Sequence, residues 1–311
     1  MSHLVLIDGH AIAHRAYHSI PPLSKDGQPV NALYGFYSML LSSLHLLQPD
    51  YLIVCLDSPG PTFRQSEFIG YRAKRKPADP ALISQLPLLP TTLATAGIKY
   101  FAVGGYEADD LIGTLVHHSL RCRLVNSKKK IISKITIITG DKDLMQLVTD
   151  NVSLFVPIRG LSETKNFGPL EVQEKLGVTP KQVIDLKALM GDTSDNYPGV
   201  AGIGPKAAIN LLTKYQNLDN IYQHLDTLQP SIREKLIRDR DNAYLSQKLA
   251  TIISNIPLKF TLKSAKFKPS TVTSLDHLFQ EYNFKSLLHR LRSYYPQTAK
   301  IKVKSTQTSL F

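Results

Sequence analysis

Cysteine is nearly absent. Only Cys55 and Cys122 occur in 311 residues, which excludes a disulfide framework and makes a reducing, cytoplasmic setting the expectation. Cys55 lies in an apolar run and reads as a buried thiol. No stretch approaches the roughly 18 consecutive apolar residues of a membrane span. The opening MSHLVLIDGH has no charged n-region, and its apolar run stops at Asp8, so no secretory signal is expected. The ten histidines show no zinc spacing; His117 and His118 are adjacent, which suits no common site. Acids are also in the minority, 25 against 37 Lys and Arg, for a formal net charge of +12. What remains is an ordinary globular composition: 43% apolar residues and 20% charged can bury a core. The length fits one large domain or two smaller ones.

The scarce acids are gathered. Nine of them fall in five short clusters: Asp8; Asp57; Glu107 with Asp109 and Asp110; Asp141 with Asp143; and Asp192 with Asp195. Acids drawn to one point repel and need cations to hold them. The basic remainder favours a polyanion. Three basic runs stand out. Residues 64–76 hold Arg64, Arg72, Lys74, Arg75 and Lys76; residues 119–134 hold six basic residues and no acid; residues 257–311 hold ten against Asp276 and Glu281. One such run is usually a solvated face. Three beside an acid cluster point to phosphate binding.

The apolar runs Leu4–Ile7, Leu52–Leu56 and Ile135–Thr139 read as fully buried strands. Helical patterns over Ala32–Leu47, Leu82–Ala96 and Ala108–Leu120 separate them, which implies a parallel α/β sheet. Each strand runs into an acid: Asp8, Asp57 or Asp141. One such Asp is commonly a turn or helix cap. Three of three are better explained by the crevice beyond the carboxyl ends of parallel strands, where sites collect. Glu107, Asp109 and Asp110 open the third helix, where the macrodipole also favours acids. Glu107 and Asp110 share a face and Asp109 points elsewhere, so an ion touching Glu107 and Asp109 has to sit near the helix tip.

The stretch GDTSDNYPGVAGIGPKAAINLL is the second signal. Asp192 and Asp195 have the spacing of one side of a helical turn. Gly199, Gly202 and Gly204 make a tight connection, Pro205 suits the first position of a helix, and Lys206 follows. This is the layout of a helix-hairpin-helix, whose backbone N–H groups bind a DNA phosphate without reading sequence. No strand precedes it, which disfavours a dinucleotide-binding loop.

The segments LIDGHAIAHRAY, TFRQSEFIGYRAKR, GGYEADDLIGTL, TGDKDLMQLV and GDTSDNYPGVAGIGPKAA resemble, in order and spacing, the 5′ nuclease domain of bacterial DNA polymerase I, in the flap endonuclease superfamily. The resemblance runs from about Leu4 to Leu291. It implies a PIN-like, mostly parallel sheet flanked by helices over residues 1–168, with an arch or gateway at 72–97. A helical DNA-binding domain follows at 169–292, with its helix-hairpin-helix at 183–214, and then a basic tail at 293–311. Pro77, Pro80, Pro87 and Pro90 exclude one continuous helix in the arch.

The resemblance further implies two Mg²⁺ ions, with Mn²⁺ as substitute, and a K⁺ ion at the hairpin. Asp8, Asp57, Glu107 and Asp109 match ligands of the first Mg²⁺. Asp141, Asp143 and Asp195 match those of the second, and Asp110 and Asp192 match additional acids of the bacterial members. Carboxylates alone suit Mg²⁺. Two such ions about 4 Å apart would ease the deprotonation of water and stabilise both oxygens of an in-line displacement. Arg72 and Arg75 would hold the scissile phosphate, Arg72 standing where the family usually has lysine. His14 stands at a base-stacking aromatic position. Arg15, Tyr71, Gly202, Gly204 and Lys206 complete the expected DNA contacts.

The expected activity is 5′-3′ exonuclease and flap endonuclease hydrolysis of 5′ flaps, nicks and junctions, in RNA primer removal and DNA repair, by a nucleoid-associated monomer. The basic loop Asn126–Lys134 is longer than the family pattern and reads as a solvated hairpin. The end of the chain, with Gln307, Leu310 and Phe311, resembles a sliding-clamp-binding peptide on a flexible basic linker. Rival readings are a non-catalytic DNA-junction binder and a PIN-type ribonuclease. A dehalogenase-like phosphatase needs a second Asp where His10 stands.

Overall fold

A computed structural model describes residues 2–121, 131–159 and 163–296. The tail beyond 296 and most of the basic loop lie outside the described residues. Among the described residues eight strands occur in chain order: β1 Ser2–Asp8, β2 Ser24–Lys25, β3 Gln28–Pro29, β4 Tyr51–Cys55, β5 Lys99–Phe101, β6 Ile132–Ile138, β7 Val152–Arg159 and β8 Glu163–Phe167. The main sheet has the order β5-β4-β1-β6-β7-β8; only the last pair is antiparallel. β2 and β3 form a separate hairpin. β6 starts three residues before the expected strand, so Lys134 belongs to the sheet rather than to a loop.

β1 explains the architecture. Leu4 and Leu6 face one apolar cluster, and Val5 and Ile7 face another. A strand whose alternate residues are all apolar is buried on both faces and needs helices on each. On the Leu4/Leu6 side lie Leu111, Ile112 and Leu115 of the helix Ala108–Arg121. On the Val5/Ile7 side lie Phe36, Tyr37, Leu40 and Leu44 of the helix Asn31–Leu47. The free Cys55 is fully buried in β4, as its apolar run predicts.

The expected boundary at 168 falls inside one continuous cluster. Leu4, Leu6 and Ile137 of the sheet share it with Val183, Leu186, Leu212 and Leu218 of the helical half. The chain also returns. Tyr51 bridges to Lys266, and the Phe267 N–H donates to the Asp50 carbonyl at 2.9 Å. The helices Pro269–Glu281 and Lys285–Tyr294 then pack Leu275, Phe279, Leu287 and Leu291 against the Val5/Ile7 face. Arg290 fixes the contact by bonding Ser38 and Ser42 of the helix Asn31–Leu47.

The hairpin joins the helices Val183–Met190 and Pro205–Tyr215, with Gly204 at the N-cap and Pro205 at the first helical position. Its base depends on two glycines. Gly191 and Gly199 both have φ near +70°, and a Cβ on Gly199 would lie 2.1 Å from the Gly191 nitrogen. No side chain fits at either place.

Among the described residues no helix is long and apolar enough to cross a membrane.

Candidate active site

The strand order reverses around β1: the chain moves outward through β4 and β5, then crosses back to β6. The carboxyl ends of β1, β4 and β6 therefore meet at a topological switch point. Asp8, Asp57 and Asp141 follow those ends. They line one cleft of about 730 Å³ together with Glu107, Asp109, His10, His14, Arg72 and Arg75. A second cleft of about 550 Å³ continues past Asp141 and contains Asp143, Asp192, Arg15, Lys142 and Lys187. Ile83, Leu86, Pro87 and Pro90 flank the first cleft. In that segment the prolines leave two short helices, Pro80–Ile83 and Leu88–Thr95, in place of the continuous pattern over Leu82–Ala96.

Local hydrogen bonds aim the acids. The Asp8 carboxylate accepts from the Ala11 N–H at 3.1 Å, capping the helix Gly9–Ser19, and from the Thr139 hydroxyl at 2.9 Å. The Asp141 N–H donates to the Thr139 oxygen at 2.9 Å, and the Asp143 N–H donates to Asp141 Oδ1 at 2.8 Å. Asp57 Oδ1 accepts from the Ala108 N–H at 2.8 Å, at the start of the helix Ala108–Arg121. The Asp57 N–H donates to His10 Nδ1 at 2.8 Å, which leaves the neutral ring's proton on Nε2.

Crowding shows in the titration of the acids. Burial, then Asp57, raises Asp8 to about 7 despite its two hydrogen bonds. Burial, then Asp141, Asp8, Asp143 and Asp57, holds Asp109 well above the usual carboxylate range. Burial and Asp141 raise Asp143 to about 6 against the pull of Lys187. Asp192 goes the other way. Burial opposes its charge, but Lys187 and Ser194 hold it at about 2.

Among the described residues, six expected ones line neither cleft. Asp110 is fully buried away from both clefts, its two oxygens forked by Arg64 at 2.8 Å each and also bonded by the Glu107 and Ile253 N–H groups. With those bonds made, it faces no opening. Asp195 points to Arg72, Arg75 and Tyr71, while Asp192 points to Lys187. The two do not share a helical side, because an antiparallel bridge between Asp192 and Tyr197 closes a turn there. Tyr71 is only 3% exposed. Its hydroxyl lies 3.2 Å from Glu107 and 3.1 Å from Asp195, so it braces two acids and offers no ring to a base. Gly202, Gly204 and Lys206 stand exposed at the hairpin and line neither cleft.

Arg64 corrects the reading of the 64–76 run as wholly phosphate-facing. It is 3% exposed and turned inward. Arg72 adopts a left-handed backbone (φ 57°) and reaches Glu107 at 3.0 Å and Asp195 at 3.3 Å. Among the described residues, no three acid, His or Cys side chains close into a ready metal cage. Cationic side chains bridge Glu107 with Asp110, Glu107 with Asp195, and Asp143 with Asp192 instead. Oxygen-only donors, among them Asp8, Glu107, Asp109 and Asp143 with raised pKa values, and some bridged by an ammonium or guanidinium, form a set that a hard divalent cation fits.

Residues 3–177 match the family described as 5′-3′ exonuclease, N-terminal resolvase-like domain. The chain belongs to the 5′-3′ exonuclease family. Residues 178–273 match its C-terminal SAM-fold domain. The chain is 37% identical to the 5′-3′ exonuclease of Bacillus subtilis (strain 168) over 269 residues, covering 85% of this chain and 88% of that one. It is 40% identical to DNA polymerase I of Caldicellulosiruptor bescii over 291 residues, covering 93% of this chain but 33% of the polymerase. It thus spans about a third of the length of the polymerases it matches. Among solved structures, the T5 D15 protein co-crystallized with metal ions has the same fold, with a TM-score of 0.65 at 20% identity, covering 96% of this chain and 99% of that one.

Sequence reasoning did not single out three residues of this candidate site. Arg64 reads as one more surface cation in a basic run. Lys187 sits mid-helix outside the acid clusters. His10 registers only as the absence of a second Asp. The one available signal is for Lys187, five residues before Asp192 on the helix that leads into the hairpin.

Proposed function

We propose that this chain is a structure-specific 5′ nuclease that hydrolyses phosphodiester bonds of DNA at 5′ flaps, nicks and ends, in primer removal and repair. The observation that carries this reading is the convergence of the acids after β1, β4 and β6 with Glu107 and Asp109 in one cleft. Asp8, Asp57, Glu107 and Asp109 would hold one divalent ion, and Asp141, Asp143 and Asp192 a second. Asp195 and Asp110 would act behind them, through Arg72, Arg75 and Arg64. Mg²⁺, or Mn²⁺ in its place, supplies charge to the phosphate and acidifies water when bound. The chain's own residues do the rest. Arg72 and Arg75 would exchange acid partners for the phosphate. His14 offers a ring to a base, and the exposed N–H groups around Gly202, Gly204 and Lys206, with a K⁺ ion, would seat a phosphate of the duplex. Asp141→Ala should cut a 5′-flap DNA at least ~10²-fold more slowly than the parent in Mg²⁺. If parent and variant both leave the flap intact, the junction-binder reading replaces this one.

The raised carboxyls predict a pH effect. Asp8 at about 7 and Asp143 at about 6 are protonated below those values, and an ion binds only the ionised form. Mn²⁺ affinity should therefore fall as pH drops from 8 to 6, and uptake near pH 7 should release protons. Calorimetry in two buffers of different ionisation enthalpy reads both. A pH-independent affinity without proton release would count against these ligands.

The tail with Gln307, Leu310 and Phe311 lies outside the described residues. Its proposed role is to tether the enzyme to a bacterial sliding clamp. Deleting residues 307–311 should abolish clamp binding in surface plasmon resonance; equal affinity would remove the idea.

A further inference from the structure

Lys187 projects from the helix Val183–Met190 into the second cleft. Its ammonium donates to Asp143 Oδ1 and to Asp192 Oδ2, the latter at 2.6 Å. All three side chains are less than a fifth exposed. The second oxygen of Asp192 is engaged by the Ser194 N–H at 2.7 Å, the Ser194 hydroxyl at 2.6 Å and the Asp195 N–H at 3.2 Å. Asp143 follows β6, and Asp192 opens the hairpin. One ammonium therefore spans an acid of the sheet and an acid of the helical half. The first acid group differs in degree: Asp8 accepts from a backbone N–H and a hydroxyl and Asp57 from a backbone N–H, while Arg72 at 3.0 Å and Arg64 at 3.2 Å hold Glu107. In the second group one ammonium holds two acids at once.

We propose that Lys187 is a built-in countercharge at the second acid group, which holds Asp143 and Asp192 in the place of a divalent ion and must swing out when one enters. This rests on the two-ion reading above. Two carboxylates aimed at one point repel, and a single ammonium offsets part of that repulsion. A divalent ion carries twice the charge but needs the same oxygens. The two cations exclude each other, so the state competent for the ion is only a fraction of the population and the apparent affinity falls by that fraction. Lysine suits such an exchange. Its flexible four-carbon stem lets a compact ammonium leave, whereas an arginine fork would lock the pair. The two acid groups then fill unequally: the first at low metal concentration, the second only at higher concentration. In the interval, Lys187 keeps the hairpin docked against the sheet.

Calorimetric titration of the full chain with Mn²⁺ tests this. The parent should show one tighter and one weaker site. Lys187→Met keeps the stem and drops the charge. It should tighten the weaker site by roughly ten-fold, since a unit charge a few ångströms away is worth at least that even when partly solvated. Lys187→Arg should leave it as weak as in the parent, or weaker. In EDTA, Lys187→Met should melt below the parent, and Mn²⁺ should close the gap. Should Lys187→Met fail to fold, Lys187→Gln carries the same comparison with a hydrogen-bond donor retained. A second-site affinity in the neutral variant equal to or weaker than the parent's overturns the proposal and leaves the two-ion reading intact. If neither protein takes up a second Mn²⁺, the two-ion reading fails, and the role of Lys187 fails with it.

Discussion

Replacing Asp109 with Asn should abolish cleavage and, in EDTA, raise the melting temperature. The two effects have one origin. Asp109 sits at the tip of the helix Ala108–Arg121, crowded by Asp141, Asp8, Asp143 and Asp57, and its pKa is pushed well up. An ionised carboxyl held against its neighbours costs folding free energy near neutral pH. Asn has the same shape without the charge. Relief of even about 1 kcal/mol should raise the melting temperature by about 2 to 4 °C in a protein of this size or somewhat less. In Mg²⁺ the order should narrow or invert, because the ion stabilises the intact site more. Cleavage should fall by on the order of 10³-fold, since charge stabilisation by a bound ion is worth several kcal/mol. Parallel flap-cleavage rates and thermal melts, with EDTA and with Mg²⁺, read both effects. A variant that cleaves normally, or that melts lower in EDTA, contradicts this account of the acids.

Arg64→Met should be among the most destabilising single changes in the chain. The guanidinium forks Asp110, touches Glu107 at 3.2 Å, and also donates to the carbonyls of Leu249 at 2.8 Å and Thr251 at 3.0 Å. The Arg64 side chain is 4% exposed and that of Asp110 fully buried. Removing one partner of such a pair strands a buried charge, at a cost of about 3 to 5 kcal/mol. Arg64→Lys should rescue little, because a point charge cannot replace a fork that serves four acceptors. The double variant Arg64→Met/Asp110→Leu should recover much of the loss by removing the stranded charge. Urea denaturation of the parent, Arg64→Met, Asp110→Leu and the double variant forms a thermodynamic cycle. A loss below about 1 kcal/mol for Arg64→Met would show the pair to be energetically idle.

The sheet was legible in the sequence because its strands are buried on both faces, which writes them as unbroken apolar runs. β5 and the β7–β8 pair were not singled out: β5 is three residues long and half-buried throughout, so no apolar run marks it. The acids were legible because Asp8, Asp57 and Asp141 each follow a strand. Direction was harder to read than position. The i, i+3 spacing of Asp192 and Asp195 reads as a shared face, but the bridge to Tyr197 turns them apart. Arg64 and Tyr71 sit among exposed cations in sequence, and only tertiary packing turns them inward, towards acids more than thirty residues away. Periodicity carries no record of a buried polar contact between distant segments.

The return of the chain to the sheet near Lys266 has a geometrical meaning. An appended domain hangs from one crossing and can pivot about it. Here the helical half leaves the sheet after Phe167 and comes back by a second crossing, while two terminal helices clamp the far face. Two anchorages make a frame. A duplex phosphate resting at the hairpin and a phosphodiester lying among the acids would be held at a fixed separation, and the frame would act as a ruler that counts nucleotides from the point of grip to the point of cutting.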